Sequence, residues 1–222
     1  MNRSLSVGSL LVGLFVVRSA LAIDAYNNYG PGDAYDTTTG YSVTGGDDDP
    51  AFGSFPPPHI VGSRFTSAAT GILAVIRISL HDSFTPGFNQ VDIRLHQANL
   101  AGELGPVMAA FTRGGLPAFG GSEAPETISS FDPSVVLTAG NRYWIVVAPG
   151  DSTTEAVWNW NSLGPGDRFA QSFDFGATYA YSDSRVGAMR IELISIPEPR
   201  TLGLIVVGIA IALAGHRREI KN

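Results

Sequence analysis

The chain has 222 residues, 44% of them hydrophobic and 15% charged, with a formal net charge of −6 and no cysteine. That length holds one domain plus appendages, and the absence of cysteine excludes disulfides, thiol catalysis and cysteine-ligated zinc. Between residues 23 and 196 eighteen acidic side chains stand against eight arginines and no lysine, a balance that repels phosphate backbones and argues against a nucleic-acid partner.

The N-terminus, MNRSLSVGSLLVGLFVVRSALA, carries the three parts of an export signal. Arg3 supplies the positive start, Leu5 to Val17 the apolar stretch, and Ala20-Leu21-Ala22 the small-residue cleavage site. Residues 1–22 therefore read as a signal peptide, cut after Ala22. An exported chain without cysteine is usual in bacteria and unusual among small secreted animal domains, which rely on disulfides.

Residues 23–196 read as a single all-β ectodomain. His59 to Phe65 forms a first strand. Gly71 to Leu80 follows, with Ile72, Ala74, Ile76 and Ile78 alternating against Leu73, Val75, Arg77 and Ser79. In Gln90 to His96, Val91, Ile93 and Leu95 fall on one side and Asp92, Arg94 and His96 on the other, the signature of a half-buried strand. Asn141 to Val147 is aromatic and β-branched, which suits a central strand, with Tyr143 and Trp144 in the core. Arg185 to Ile194 closes the set, with Met189, Ile191 and Leu193 on one face. Turn signals recur between these runs: Pro86-Gly87, Gly105-Pro106, Gly114-Gly115, Ala139-Gly140-Asn141, Pro149-Gly150-Asp151 and Gly164-Pro165-Gly166-Asp167. Short strands joined by Gly/Pro turns predict an antiparallel β-sandwich of jelly-roll type.

Few residues in this body point to chemistry. Trp158 and Trp160 lie two apart, so on a strand they share a face; two exposed indoles would stack sugar rings, whereas buried ones would close the core. Asp47-Asp48-Asp49 follows Gly45-Gly46, and clustered carboxylates on a loop can begin a calcium site. Consecutive rather than alternating carboxylates diverge, which makes a solvated loop the competing reading. His81-Asp82-Ser83 is contiguous, and neighbours on a turn rarely converge on one point, although a triad is recognised by geometry rather than order. His59 and His96 have no metal-ligand spacing. No catalytic set, resident metal or cofactor is legible, and the body is expected to be non-enzymatic.

The C-terminus closes the reading. Leu202 to Ala214 is an apolar run free of charge and followed by Arg217, Arg218 and Lys221. As a helix it spans about 20 Å, short of the roughly 30 Å hydrocarbon core of a bilayer. It has no polar face, unlike a helix packed on a protein surface, and its basic flank fits a cytoplasmic stop. Upstream lie Pro197, Glu198 and Pro199, whose prolines hold the chain extended and accessible. Residues 197–222 thus form a separate anchoring segment with a short transmembrane helix.

Pro197-Glu198-Pro199, the apolar helix and the basic cluster, in that order downstream of a signal peptide, resemble the PEP-CTERM sorting signal of Gram-negative bacteria. The resemblance implies an exosortase as partner, transient attachment to the inner membrane, and delivery to the outer surface or an exopolysaccharide matrix. Arg200 stands where that family more often has Ser or Thr. The body resembles the choice-anchor ectodomains of the R type through Tyr26 to Asp33, Val61 to Phe65, Leu137 to Gly140 before Tyr143-Trp144, and the strand bearing Trp158 and Trp160. That resemblance implies a β-sandwich and no assigned activity; a carbohydrate-binding module using Trp158 and Trp160 is the alternative.

Overall fold

The computed structural model describes residues 22–46, 57–83, 89–121, 124–130, 132–164 and 166–196. The signal peptide ahead of Ala22, the 197–222 segment with Pro197, Glu198, Pro199, Arg217 and Arg218, and Asp47, Asp48 and Asp49 lie outside the described residues. Among the described residues the secondary structure is entirely β, in fourteen strands. They are β1 (Ala22–Asn27), β2 (Tyr35–Thr44), β3 (Ile60–Thr66), β4 (Gly71–Ile78), β5 (Leu80–Asp82), β6 (Gln90–Ala98), β7 (Leu104–Gly114), β8 (Glu126–Ser129), β9 (Val136–Leu137), β10 (Arg142–Pro149), β11 (Glu155–Asn161), β12 (Gly166–Ser172), β13 (Ala180–Arg185) and β14 (Met189–Ser195).

The strands form three antiparallel sheets. One runs β1-β14-β4-β8, with β9 also on β4; the second runs β13-β12-β3-β10-β6-β7; the third is β2-β11-β5. All three feed one apolar core. Leu73, Ile76, Ile78, Met189, Ile191 and Leu193 come from the first sheet, Val61, Phe65, Val91, Ile93, Leu95, Tyr143, Ile145 and Val147 from the second, and Val43, Leu80, Ala156 and Trp158 from the third. Each fully buried aliphatic or aromatic side chain here is worth about 1.5–3 kcal/mol of transfer free energy. At the flank, the guanidinium of Arg113 on β7 pairs with Glu126 on β8, tying an edge of the second sheet to an edge of the first.

The predicted alternation holds in β6, where Val91, Ile93 and Leu95 are buried and Asp92, Arg94 and His96 half-exposed. It slips in β4. Leu73, rather than Ile72 or Ala74, joins Ile76 and Ile78 in the core, because the pairing with β14 shifts register between Leu73 and Val75. The extra residue is a bulge, and it flips every side chain on its N-terminal side to the other face. The long C-terminal strand divides as well: β13 ends at Arg185 and β14 starts at Met189, while Val186 and Ala188 between them are fully buried.

Gly105-Pro106, read as a turn, lies inside β7. This strand is the edge of its sheet and its register with β6 is irregular at this point, settings in which the missing proline N–H costs no ladder bond. Ala139-Gly140-Asn141 is a true turn, with Gly140 at φ 81°.

β10 is buried on both faces. Tyr143, Ile145 and Val147 point into the main core. Trp144, Val146 and Ala148 point outward, into a second cluster with Ile60 and Ala170 that is roofed by Ala98, Leu104, Tyr179 and Tyr181. A strand covered on both sides reads as a continuous apolar run, which is what Tyr143 to Ala148 is.

Candidate functional site

The first and third sheets meet at a buried polar junction. The Ser79 N–H donates to the Ala188 carbonyl at 3.2 Å, Ala188 N–H to the Asn159 carbonyl at 2.8 Å, and Asn159 N–H to the Ser79 carbonyl at 3.0 Å. The Tyr29 hydroxyl also donates to the Ala188 carbonyl, at 3.3 Å, and accepts from Ser79 Oγ at 3.1 Å. Burial drives the Tyr29 phenol well above its usual pKa, so it stays neutral. Asn28 clasps the same segment, its Nδ2 donating to the Gly187 carbonyl at 2.9 Å and its Oδ1 accepting from Met189 N–H at 2.7 Å. The opening Tyr26 to Asp33 stretch therefore serves as a clamp on the last strand.

His81 sits in this junction, almost fully buried. Asn159 Nδ2 donates to the Asp36 carbonyl at 2.8 Å, which turns its Oδ1 towards His81 Nδ1, 2.6 Å away. Nδ1 accordingly carries the proton, and Nε2 accepts from the Tyr35 hydroxyl at 3.1 Å. Ser83 Oγ donates instead to the Glu155 carbonyl at 2.9 Å. His81 and Ser83 thus engage separate partners, with the imidazole buried inside the fold.

The tryptophans overturn the shared platform. Trp158 on β11 is fully buried, and its Nε1 donates to the Ala188 carbonyl at 3.1 Å. Gly187 lies flat against its ring: a Cβ there would stand 2.1 Å from Trp158 Cε2. Trp160 is half-buried, met edge-on by Tyr41 at 5.5 Å and covered by the Arg185 guanidinium 5.2 Å from its ring centre. With Trp158 offering no surface, the pair cannot stack a sugar. The physical reason is the side-chainless Gly187, which opens a slot that the indole of Trp158 fills.

His59 and His96 lie apart from each other on different strand neighbourhoods, and among the described residues no group of three or more His, Asp or Glu side chains is placed to hold a metal ion. Burial pushes both imidazoles below their ordinary pKa. His96 Nδ1 donates to the Gly105 carbonyl at 2.9 Å. A cleft of about 470 Å³ is lined by Gly32, Asp33, Ala34, Tyr35 and Thr37 with Ala124 and Pro125. Among the described residues Asp33 is its one charged lining group, and Arg190 lies 3.7 Å from that carboxylate.

The described surface's most organised apolar feature is one that the sequence reading missed, the β12–β13 hairpin Ser172-Phe173-Asp174-Phe175-Gly176. Phe173 and Phe175 are 50% and 70% exposed. Asp174 ties the loop from within: its Oδ1 accepts from Ser172 Oγ at 2.7 Å and from Thr178 N–H at 2.9 Å, and its Oδ2 from Thr178 Oγ1 at 2.6 Å. Those bonds, led by the Thr178 hydroxyl, hold the carboxyl down to about 2. Phe175 adopts φ 57°, a left-handed conformation rare for a bulky residue. Phe173 stacks on the His59 imidazole, centroids 4.5 Å apart and planes 8° from parallel. The signal in the sequence was two phenylalanines flanking an Asp within a turn.

Compared with protein-family models, with curated proteins and with solved structures, the chain matches none of them.

Proposed function

We propose that this is an exported, non-catalytic surface or matrix protein of a Gram-negative bacterium, delivered by a disposable C-terminal tail that an exosortase processes near Pro197-Glu198-Pro199. The observation that carries the reading is the ordered series of signal peptide, β-rich body, Pro-Glu-Pro, short apolar run and the Arg217-Arg218 flank. The fold supports it in two ways. β14 lies between β1 and β4, so the core that the described residues form is closed before Ser195, and severing the chain beyond Ile196 leaves all of those residues in place. The chain also leaves the body beside exposed Ile194 and Ile196, at the same end as the fully exposed Leu100 on the β6–β7 turn, an apolar rim suited to a membrane-facing end.

The ectodomain is a jelly-roll sandwich in this reading. The order first–last–fourth–eighth (β1-β14-β4-β8) in one sheet, with third–tenth–sixth–seventh (β3-β10-β6-β7) in the other, is that of two interlocked Greek keys; β11 to β13 are an insertion before the last strand.

Mass spectrometry of the envelope-bound or released protein tests the proposal. The expected product starts at Ile23 and ends near Pro197-Glu198-Pro199, and deletion of 197–222 sends the body to the periplasm or medium. Mature molecules that retain Arg217 and Arg218 would refute it.

A further inference from the structure

The two ends of the body differ, and the difference points to a ligand. β3 begins at Ile60, paired with Ser172 beside the Phe173–Phe175 hairpin, and ends at Thr66, paired with Arg142. Gly71, five residues beyond Thr66, pairs with Ser195, where the chain departs for its tail. Seven residues of strand at roughly 3.3 Å each set the hairpin and the tail exit about 20 Å apart along the sheet. On the tail reading above, on which this inference rests, the hairpin is the membrane-distal pole.

We propose that the Phe173–Phe175 hairpin is a saccharide-binding site, taking the flat C–H face of a neutral hexose polymer. Three observations favour this occupant. The Phe173 ring is backed on one side by the parallel His59 imidazole, which leaves a single flat face rather than a knob for insertion into a pocket; an aromatic face of this kind matches the apolar face of a pyranose. Asp174 lies between the two phenylalanines, exposed and ionised. Its three internal bonds use three of the roughly four acceptor positions of a carboxylate, which leaves one for a sugar hydroxyl. The body's eighteen acidic residues against eight arginines and no lysine disfavour an anionic lipid surface or anionic polymer at that pole. The site is also preorganised. The Asp174 bonds and the left-handed Phe175 hold the rings in place before binding, so little ordering remains to oppose it.

Affinity electrophoresis of the full chain in detergent, through gels containing dextran, β-glucan, mannan or galactan, tests the proposal, with alginate gels and phosphatidylglycerol vesicles alongside. Retardation by at least one neutral polymer is expected. Phe173→Ala and Phe175→Ala each weaken it about tenfold or more with an unchanged melting temperature, and Leu100→Ser at the opposite pole leaves it unaltered. The inference is overturned if no neutral polymer retards the chain, if retardation survives the Phe173→Ala/Phe175→Ala double variant, or if only alginate or the vesicles bind. Tail processing is read separately by mass spectrometry, so an intact tail with polymer binding removes the sorting proposal alone, and a trimmed tail without binding removes this one alone.

Discussion

β10 presents two apolar surfaces whose neighbouring aromatics behave differently. On the inner side Tyr143 enters a core filled from three sheets, and its hydroxyl accepts from Thr138 N–H at 2.8 Å. On the outer side Trp144 is just as completely buried, but under a thin roof made by the β6–β7 turn and the β12–β13 hairpin. Among the described residues its Nε1 has no hydrogen-bond partner, and neither has His96 Nε2 on the paired residue of β6. Trp158, by contrast, has its Nε1 satisfied by Ala188. Equal burial thus conceals unequal satisfaction. The inner aromatics Tyr143 and Trp158 have their polar atoms matched; the outer face of β10 buries apolar surface and, among the described residues, leaves the Trp144 and His96 ring nitrogens unmatched, each a cost of about 1–3 kcal/mol.

The comparison breaks most sharply at Trp158. Trp158→Ala opens a large central cavity and removes a buried hydrogen bond, an expected loss of about 4–5 kcal/mol in urea unfolding; a loss below 2 kcal/mol would show that the inner core collapses around the gap. Next is Gly187→Ala. The added methyl would meet the indole ring, and an overpacked core costs about 1–3 kcal/mol, here at the upper end. The double variant Gly187→Ala/Trp158→Leu is expected to recover part of that loss, since the ring that clashes is gone.

The pair Trp158→Phe and Trp144→Phe sharpens the contrast. The first forfeits the bond to Ala188 and the second discards an unmatched donor, so the inner substitution is expected to cost more by about 1 kcal/mol. Equal losses would mean that the outer indole is satisfied in solution.

The smallest effect is with pH. Burial, the leading cause in each case, lowers the pKa of His59 and His96; for His96 the nearby Arg94 charge adds to the shift and the bond to Gly105 opposes it. A histidine depressed in the native state binds fewer protons folded than unfolded. Its stabilisation is complete above the unfolded pKa of about 6.5 and is lost as pH falls. The urea midpoint is expected to drop between about pH 7 and pH 5, with a shallower drop in the His96→Asn variant, and a flat profile in the wild type would contradict the burial account.

Much of the architecture was legible because strands advertise themselves by period and turns by glycine and proline. Val91, Ile93 and Leu95 alternate in sequence and are buried together. The bulge in β4 was not legible, since a one-residue slip leaves the composition of Ile72 to Ile78 unchanged while exchanging its faces. Pro106 misled for a related reason, as a proline that breaks a central strand is harmless on an edge, and edges are assigned only when sheets assemble. The candidate site was least legible. Trp158 and Trp160 stand out by residue type, yet Phe173 and Phe175 hold the exposed positions.

By itself the amino-acid sequence determined an all-β body with an acidic surface, free of cysteine chemistry, because composition and two-residue periodicity act locally and need no knowledge of distant partners. Only the tertiary structure decided which aromatic rings meet solvent. Exposure depends on what packs opposite: Gly187, 29 residues beyond Trp158 in sequence, makes the slot that swallows that indole, and Asp174 with Thr178 and Ser172 holds two phenylalanines out in water, where no local pattern would have placed them.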